Sequence, residues 1–95
     1  MNMYHVVPST QYGKSYARIM RGGRVKSASI DTIIAYLKRC VSLPAICKDH
    51  QLKGDMSAYR ECHIKHDLLL QYRRDETKKV IVLVNIGSHQ DLFGG

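Results

Sequence analysis

Between residues 10 and 41 the apolar side chains recur at helical spacing. Beyond residue 59 they alternate or run together, so the change of period divides the chain into a helical half and a sheet half. Tyr12, Tyr16, Ile19 and Met20 make one apolar face, with Lys14, Arg18 and Arg21 on the other. Ser9 or Thr10 supplies an N-cap and Gly22-Gly23 a stop, which predicts a helix over about residues 10–21. Ile30, Ile33, Ile34, Leu37 and Val41 form the i, i+3, i+4, i+7, i+11 stripe of a second helix, capped by Ser29 and ended by Pro44. A basic, Gly-rich turn joins the two, which predicts an antiparallel hairpin with both stripes turned onto a sheet.

The sheet is expected from four runs. Met3 to Val7 is short, partly β-branched or aromatic, and stopped by Pro8, as suits a strand where a missing N–H is tolerated. Tyr59 to Ile64, Leu68 to Arg73 and Val80 to Ile86 follow a loop from Ala45 to Ala58 that lacks periodicity. Val80 to Ile86 is apolar almost throughout, which predicts a central strand covered on both faces, and Arg74 to Lys79 reads as a polar hairpin connection. The expectation is one α+β domain over residues 1–95, with an N-terminal helical hairpin packed on a small, mostly antiparallel, four-stranded sheet.

Composition narrows what such a domain can do. Ninety-five residues with 44% apolar content build one modest core, so function must lie on the surface of a single layered unit. Fifteen Lys and Arg against eight Asp and Glu give a formal charge of +7, which suits a polyanion such as nucleic acid, or an acidic protein partner. Cys40, Cys47 and Cys62 are odd in number and without framework spacing, no apolar run is long enough for a membrane span, and no signal peptide is recognised. The expected setting is the reducing cytoplasm. A zinc site from Cys47, His50, Cys62 and His63 is disfavoured, because adjacent Cys62 and His63 would point to opposite faces of a strand.

Chemistry is concentrated in the C-terminal half, where His50, His63, His66 and His89 accompany Asp67, Arg60, Arg73 and Arg74. Cleavage of RNA needs such a set. The 2′-hydroxyl loses a proton as it attacks the neighbouring phosphate, the 5′-oxygen gains one, and cations or hydrogen-bond donors meet the charge that builds on phosphorus. Imidazoles serve both transfers near neutral pH, and a carboxylate beside one favours its charged form or fixes its tautomer. On a strand from Tyr59, His63 shares a face with Tyr59 and Glu61, and Asp67 lies a turn later, within reach of His63. Gly87 turns the chain out of the last strand and presents His89. Phe93, one helical turn further on, can pack beneath His89 or stack on a base, while Leu92 reads as a core plug.

Leu43-Pro44-Ala45, Lys48-Asp49-His50, Leu52-Lys53-Gly54, Tyr59-Arg60, His63 with Asp67, Gly87-Ser88-His89 and Leu92-Phe93-Gly94 occur in one order and register. More weakly, Gln11-Tyr12 and Lys14 precede them. Together they resemble the YafQ branch of the RelE/ParE toxin superfamily. The resemblance implies a metal-independent endoribonuclease without cofactor that cuts mRNA in the ribosomal A site, silenced by a cognate antitoxin of the ribbon-helix-helix, DinJ-like kind. Carried over by position, it implies a catalytic set of His50, His63, Asp67 and His89, with Phe93 placing substrate. His89 would be the general acid, and His50 or His63, oriented by Asp67, the general base. The family commonly has arginine two residues before the Gly of the Gly-Ser-His turn. Asn85 stands there, so Arg60, Lys53 or Arg73 would meet the phosphate charge. The rivals are a ParE-like gyrase binder, a catalytically weak toxin that acts as co-repressor, and a basic RNA-binding module, which the lack of aromatic strand pairs disfavours.

Overall fold

A computed structural model describes residues 3–93, so Gly94 of the last motif lies outside the described residues. Strand β1 (His5–Pro8) leads into helices α1 (Thr10–Gly22) and α2 (Ser27–Lys38). After two short 3₁₀ turns and a two-residue strand β2 (His50–Gln51) come β3 (Arg60–Lys65), β4 (Leu68–Asp75), β5 (Val80–Gly87) and a terminal helix α3 (His89–Phe93). The sheet therefore has five strands rather than the expected four, in the order β1-β5-β4-β3-β2. Its extra member is β2, in which His50 pairs with Glu61 and Gln51 with Arg60. Two residues are too few to show alternation, which is why this strand read as loop. Every pairing is antiparallel except β1 with β5, where His5 to Pro8 run beside Val80 to Leu83. Pro8 ends an edge strand, where no ladder bond is lost.

The first helix forms as its sequence dictates. Ser9 Oγ accepts the Tyr12 N–H at 3.0 Å and donates to the Val84 carbonyl at 2.8 Å, capping α1 and pinning its start to β5. Gly23, at φ 73°, closes the other end. Helix α2 departs from expectation at both ends. It begins at Ser27, with Lys26 in the cap position and Ser29 inside the first turn. It stops at Lys38, well before Pro44, because Cys40 turns left-handed (φ 59°). The Cys40 and Val41 N–H groups then bond back to the Leu37 and Tyr36 carbonyls, a Schellman closure. Val41 consequently leaves the stripe and is 50% exposed.

Tyr12 of α1 and Ile30, Ile33 and Leu37 of α2 join one buried cluster with Cys62, Leu70, Tyr72, Ile81, Leu83 and Ile86, so both helices cover the same side of the sheet. The strand buried on both sides is β4, where Leu68 to Tyr72 are all buried. In β5, Val80, Val82 and Val84 remain half-exposed. The apolar run of β5 thus reflects one covered face plus valines that favour the pleated backbone, not the double coverage expected of it. A bulge at Val84, between the pairs Gln71–Asn85 and Tyr72–Leu83, reorients the end of this strand. None of the described helices is long and apolar enough to cross a membrane.

Candidate active site

Alternation along β3 separates core from chemistry. Cys62 and Ile64 pack with the core, while Glu61 and His63, between them in sequence, face the other side. Cys62 and His63 are therefore divided by the sheet, and burial raises the Cys62 thiol well above its ordinary range, which leaves it inert.

On the side away from the helices an imidazole chain forms. The rings of His63 and His89 meet edge to face with centroids 5.8 Å apart, and Phe93 lies 6.4 Å beyond His89. On the other flank, His50 Nε2 stands 3.9 Å from Glu61 Oε1. His50 Nδ1 lies 2.6 Å from the Lys48 carbonyl; since a carbonyl only accepts, Nδ1 carries the proton and Nε2 is turned to Glu61. Glu61 is 3% exposed, and its Oε2 has no hydrogen-bond partner among the described residues. One buried carboxylate acceptor is thus left free on the imidazole side of the sheet.

Asp67 does not orient His63 or His50, as the sequence suggested. It holds His89, whose backbone N–H reaches Asp67 Oδ1 at 3.0 Å and whose Nδ1 lies 3.1 Å from the same oxygen. The backbone bond first, then the imidazole bond, lowers the Asp67 carboxyl below its ordinary value. The reason is topological: the β3–β4 turn and the end of β5 lie next to each other across β4, bringing residues 22 positions apart together.

Helix α3 is launched by a reciprocal cap. Ser88 Oγ accepts the Asp91 N–H and Asp91 Oδ2 accepts the Ser88 N–H, each at 3.0 Å, while Arg18 of α1 approaches Asp91 at 3.6 Å. Gly87 is required here for space rather than for backbone freedom, because a Cβ on it would lie 2.8 Å from the Cβ of Asp91. Leu92 is half-buried and Phe93 is 48% exposed, free to meet a ligand.

The remaining expected residues divide. Arg73 follows Leu69 and Gln71 by alternation onto the imidazole side of β4 and is half-buried there. Lys53 is exposed in the loop before β3. Arg60 is turned to the core side, where its Nε contacts Tyr72 Oη (3.2 Å) and Asp49 (3.3 Å), while Tyr72 donates to Asp49 at 2.6 Å. This triad fixes the loop that carries His50 and removes Arg60 from the imidazole side. Asn85 is likewise drawn away: its Oδ1 accepts from Ser15 of α1 at 2.7 Å. Glu61 was the residue missed, although its two-residue spacing from His63 puts both on one face. Glu61, His63 and His89 present ligand atoms all within 4.8 Å of one another, a donor set that a divalent cation can take.

The family model described as "Bacterial toxin of type II toxin-antitoxin system, YafQ" matches residues 4–94. The chain belongs to the YafQ family. This YafQ-family chain is 36% identical over 58 residues to the mRNA interferase toxin YafQ of Escherichia coli K12, an alignment spanning 61% of each protein. Its fold is similar to that of a metal-bound toxin from Helicobacter pylori, with a TM-score of 0.86 and 32% identity over 96% of this chain and all of that one. It is also similar to a chain of the E. coli DinJ–YafQ toxin–antitoxin complex, with a TM-score of 0.83 and 27% identity over 97% of this chain and 99% of that one.

Proposed function

We propose that this protein is a toxin that cleaves mRNA on the ribosome, in the A site, by proton transfer between imidazoles, and that a ribbon-helix-helix antitoxin silences it. The observation that carries the reading is the continuous chain His50–Glu61–His63–His89–Phe93 on one face of the sheet, with Asp67 holding the outer ring. His89 uses Nδ1 to meet Asp67, so its Nε2 is left to deliver a proton to the departing 5′-oxygen. His63, beside buried Glu61, takes the proton of the attacking 2′-hydroxyl. His50, turned to the same carboxylate, shares that charge. With Arg60 and Asn85 engaged elsewhere, Arg73 or Lys53 is left to meet the charge growing on phosphorus. Phe93 offers a flat face to a base.

The experiment is induced expression of the wild type and of His89→Ala in a bacterial host, with mapping of new mRNA 5′ ends within minutes. In-frame cuts inside translated regions, made by the wild type alone, are expected. Growth arrest without cuts would overturn the reading in favour of gyrase binding or co-repression.

A further inference from the structure

Next to the imidazole chain lies a cavity of about 560 Å³, between the 3₁₀ turn Ala45–Cys47 and the end of β3. His63 forms one wall, so the cavity and the proposed reaction centre share a side chain. Ile46 forms another and is 84% exposed, a large aliphatic surface left open among the described residues. Lys48, Lys65 and His66 complete the rim, and among the described residues no carboxylate lines it. Apolar walls, cationic edges and a volume within the usual range of about 300–1,000 Å³ for ligand clefts suit a base with its phosphate better than a peptide or a lipid.

The turn that carries Ile46 is rigidly held. Cys47 is buried beneath it, and the Cys47 and Lys48 N–H groups bond to the Pro44 and Ala45 carbonyls at 2.9 and 3.0 Å. Lys48 is left-handed, at φ 50°, an uncommon backbone conformation for a residue with a side chain. Its carbonyl is the group that fixes the His50 tautomer. One short segment thus presents an uncovered apolar wall, a cation and the orientation of an imidazole.

We infer that this cavity seats the base of the nucleotide whose 2′-hydroxyl attacks, with Ile46 against the base and Lys48 and Lys65 near the flanking phosphates. The inference rests on the proposed ribonuclease reading, because it is His63, the group assigned to that hydroxyl, that opens into the cavity. The consequence is a nucleotide preference on the 5′ side of each cut, set by Ile46.

The test is 5′-end mapping after expression of wild type, Ile46→Ala and Lys48→Ala, with a thermal melt of each purified chain. Because Ile46 is outside the core, Ile46→Ala is expected to melt like the wild type and keep cutting. Its discrimination between preferred and disfavoured 5′ nucleotides should fall by about tenfold, and Lys48→Ala should lower cutting at all sites alike. If the wild type cuts but Ile46→Ala keeps the same preference, or if the wild type has none, the subsite is wrong and the ribonuclease stands. Loss of all cutting by a normally melting Ile46→Ala also overturns it, since a base subsite redistributes cuts rather than performing them. A wild type that makes no cuts removes both.

Discussion

Gly87→Ala is the most revealing single change, because it moves the proposed acid without touching it. The added Cβ would stand 2.8 Å from the Cβ of Asp91 where 3.4 Å is ordinary contact, so α3 must retreat by about 0.6 Å. The neighbouring backbone cannot absorb this freely, since Ser88 and Asp91 are locked to each other by two 3.0 Å bonds and Asp91 is also approached by Arg18. Weakening such a cap costs about 1 kcal/mol, a small fraction of the stability of a domain this size. A shift approaching 1 Å in a catalytic group, by contrast, costs roughly 100-fold in rate. The expected result is therefore a tenfold to hundredfold loss of RNA cleavage with urea unfolding displaced by no more than about 1–2 kcal/mol. The control is Gly13→Ala, where an added Cβ meets nothing within 4 Å and cleavage should be unchanged. Gly87→Ala at full activity would falsify the claim that close packing at this turn positions His89.

Asp67→Asn keeps an acceptor for the His89 N–H but removes the charge beside its ring, and cleavage should fall while the fold is kept; unchanged cleavage would argue against Asp67 as the group that holds His89 for proton transfer. For stability the sign is set by the lowered native carboxyl: the Asp67 contribution is present above its ordinary value of 3.8 and lost as pH falls through the lower native one. Wild type and Asp67→Asn should therefore differ in urea unfolding near neutrality and converge in acid. Tyr72→Phe removes the donor to Asp49 and the acceptor of Arg60 from a buried site, and should cost about 1–3 kcal/mol in urea unfolding. An unchanged midpoint would mean that the triad does not anchor the His50 loop. Chelators should leave cleavage intact, whereas added zinc should suppress it by engaging Glu61, His63 and His89. Abolition by a chelator would show that the proton-transfer account lacks an essential cation.

Local signals were the legible ones. The Ser9 cap, the Tyr12 face of α1, the Ile30–Ile33–Leu37 stripe and the three longer strands follow from neighbours in sequence, and they recover the α+β layering. The ends of α2 were misread locally, because Cys40 turns left-handed ahead of Pro44, but most of what was misread depends on pairing across distance. Strand β2 exists only because His50 meets Glu61, and Asp67 finds His89 only because β3–β4 and β5 end side by side. Arg60 looked available for a phosphate, yet Tyr72 and Asp49 claim it on the core side. Asn85 follows Ile81 and Leu83 at the two-residue period toward the helices, but that it is spent on Ser15 of α1, 70 positions away, could not be read from β5 alone. Conversely, the Ser88–Asp91 cap was written locally and could have been recognised as a serine followed three residues later by an acid.

Strand β3 carries two vocabularies in six residues. Cys62 and Ile64 belong to the core, Glu61 and His63 to the chemistry, and they are interleaved one by one. A substitution can alter either without the other, so catalytic variants that stay folded should be common. A single-residue insertion or deletion ahead of Glu61 is different in kind, since it would exchange the two faces and put a carboxylate and an imidazole where Cys62 and Ile64 pack. This stretch is therefore expected to vary in spelling among related chains but never in length.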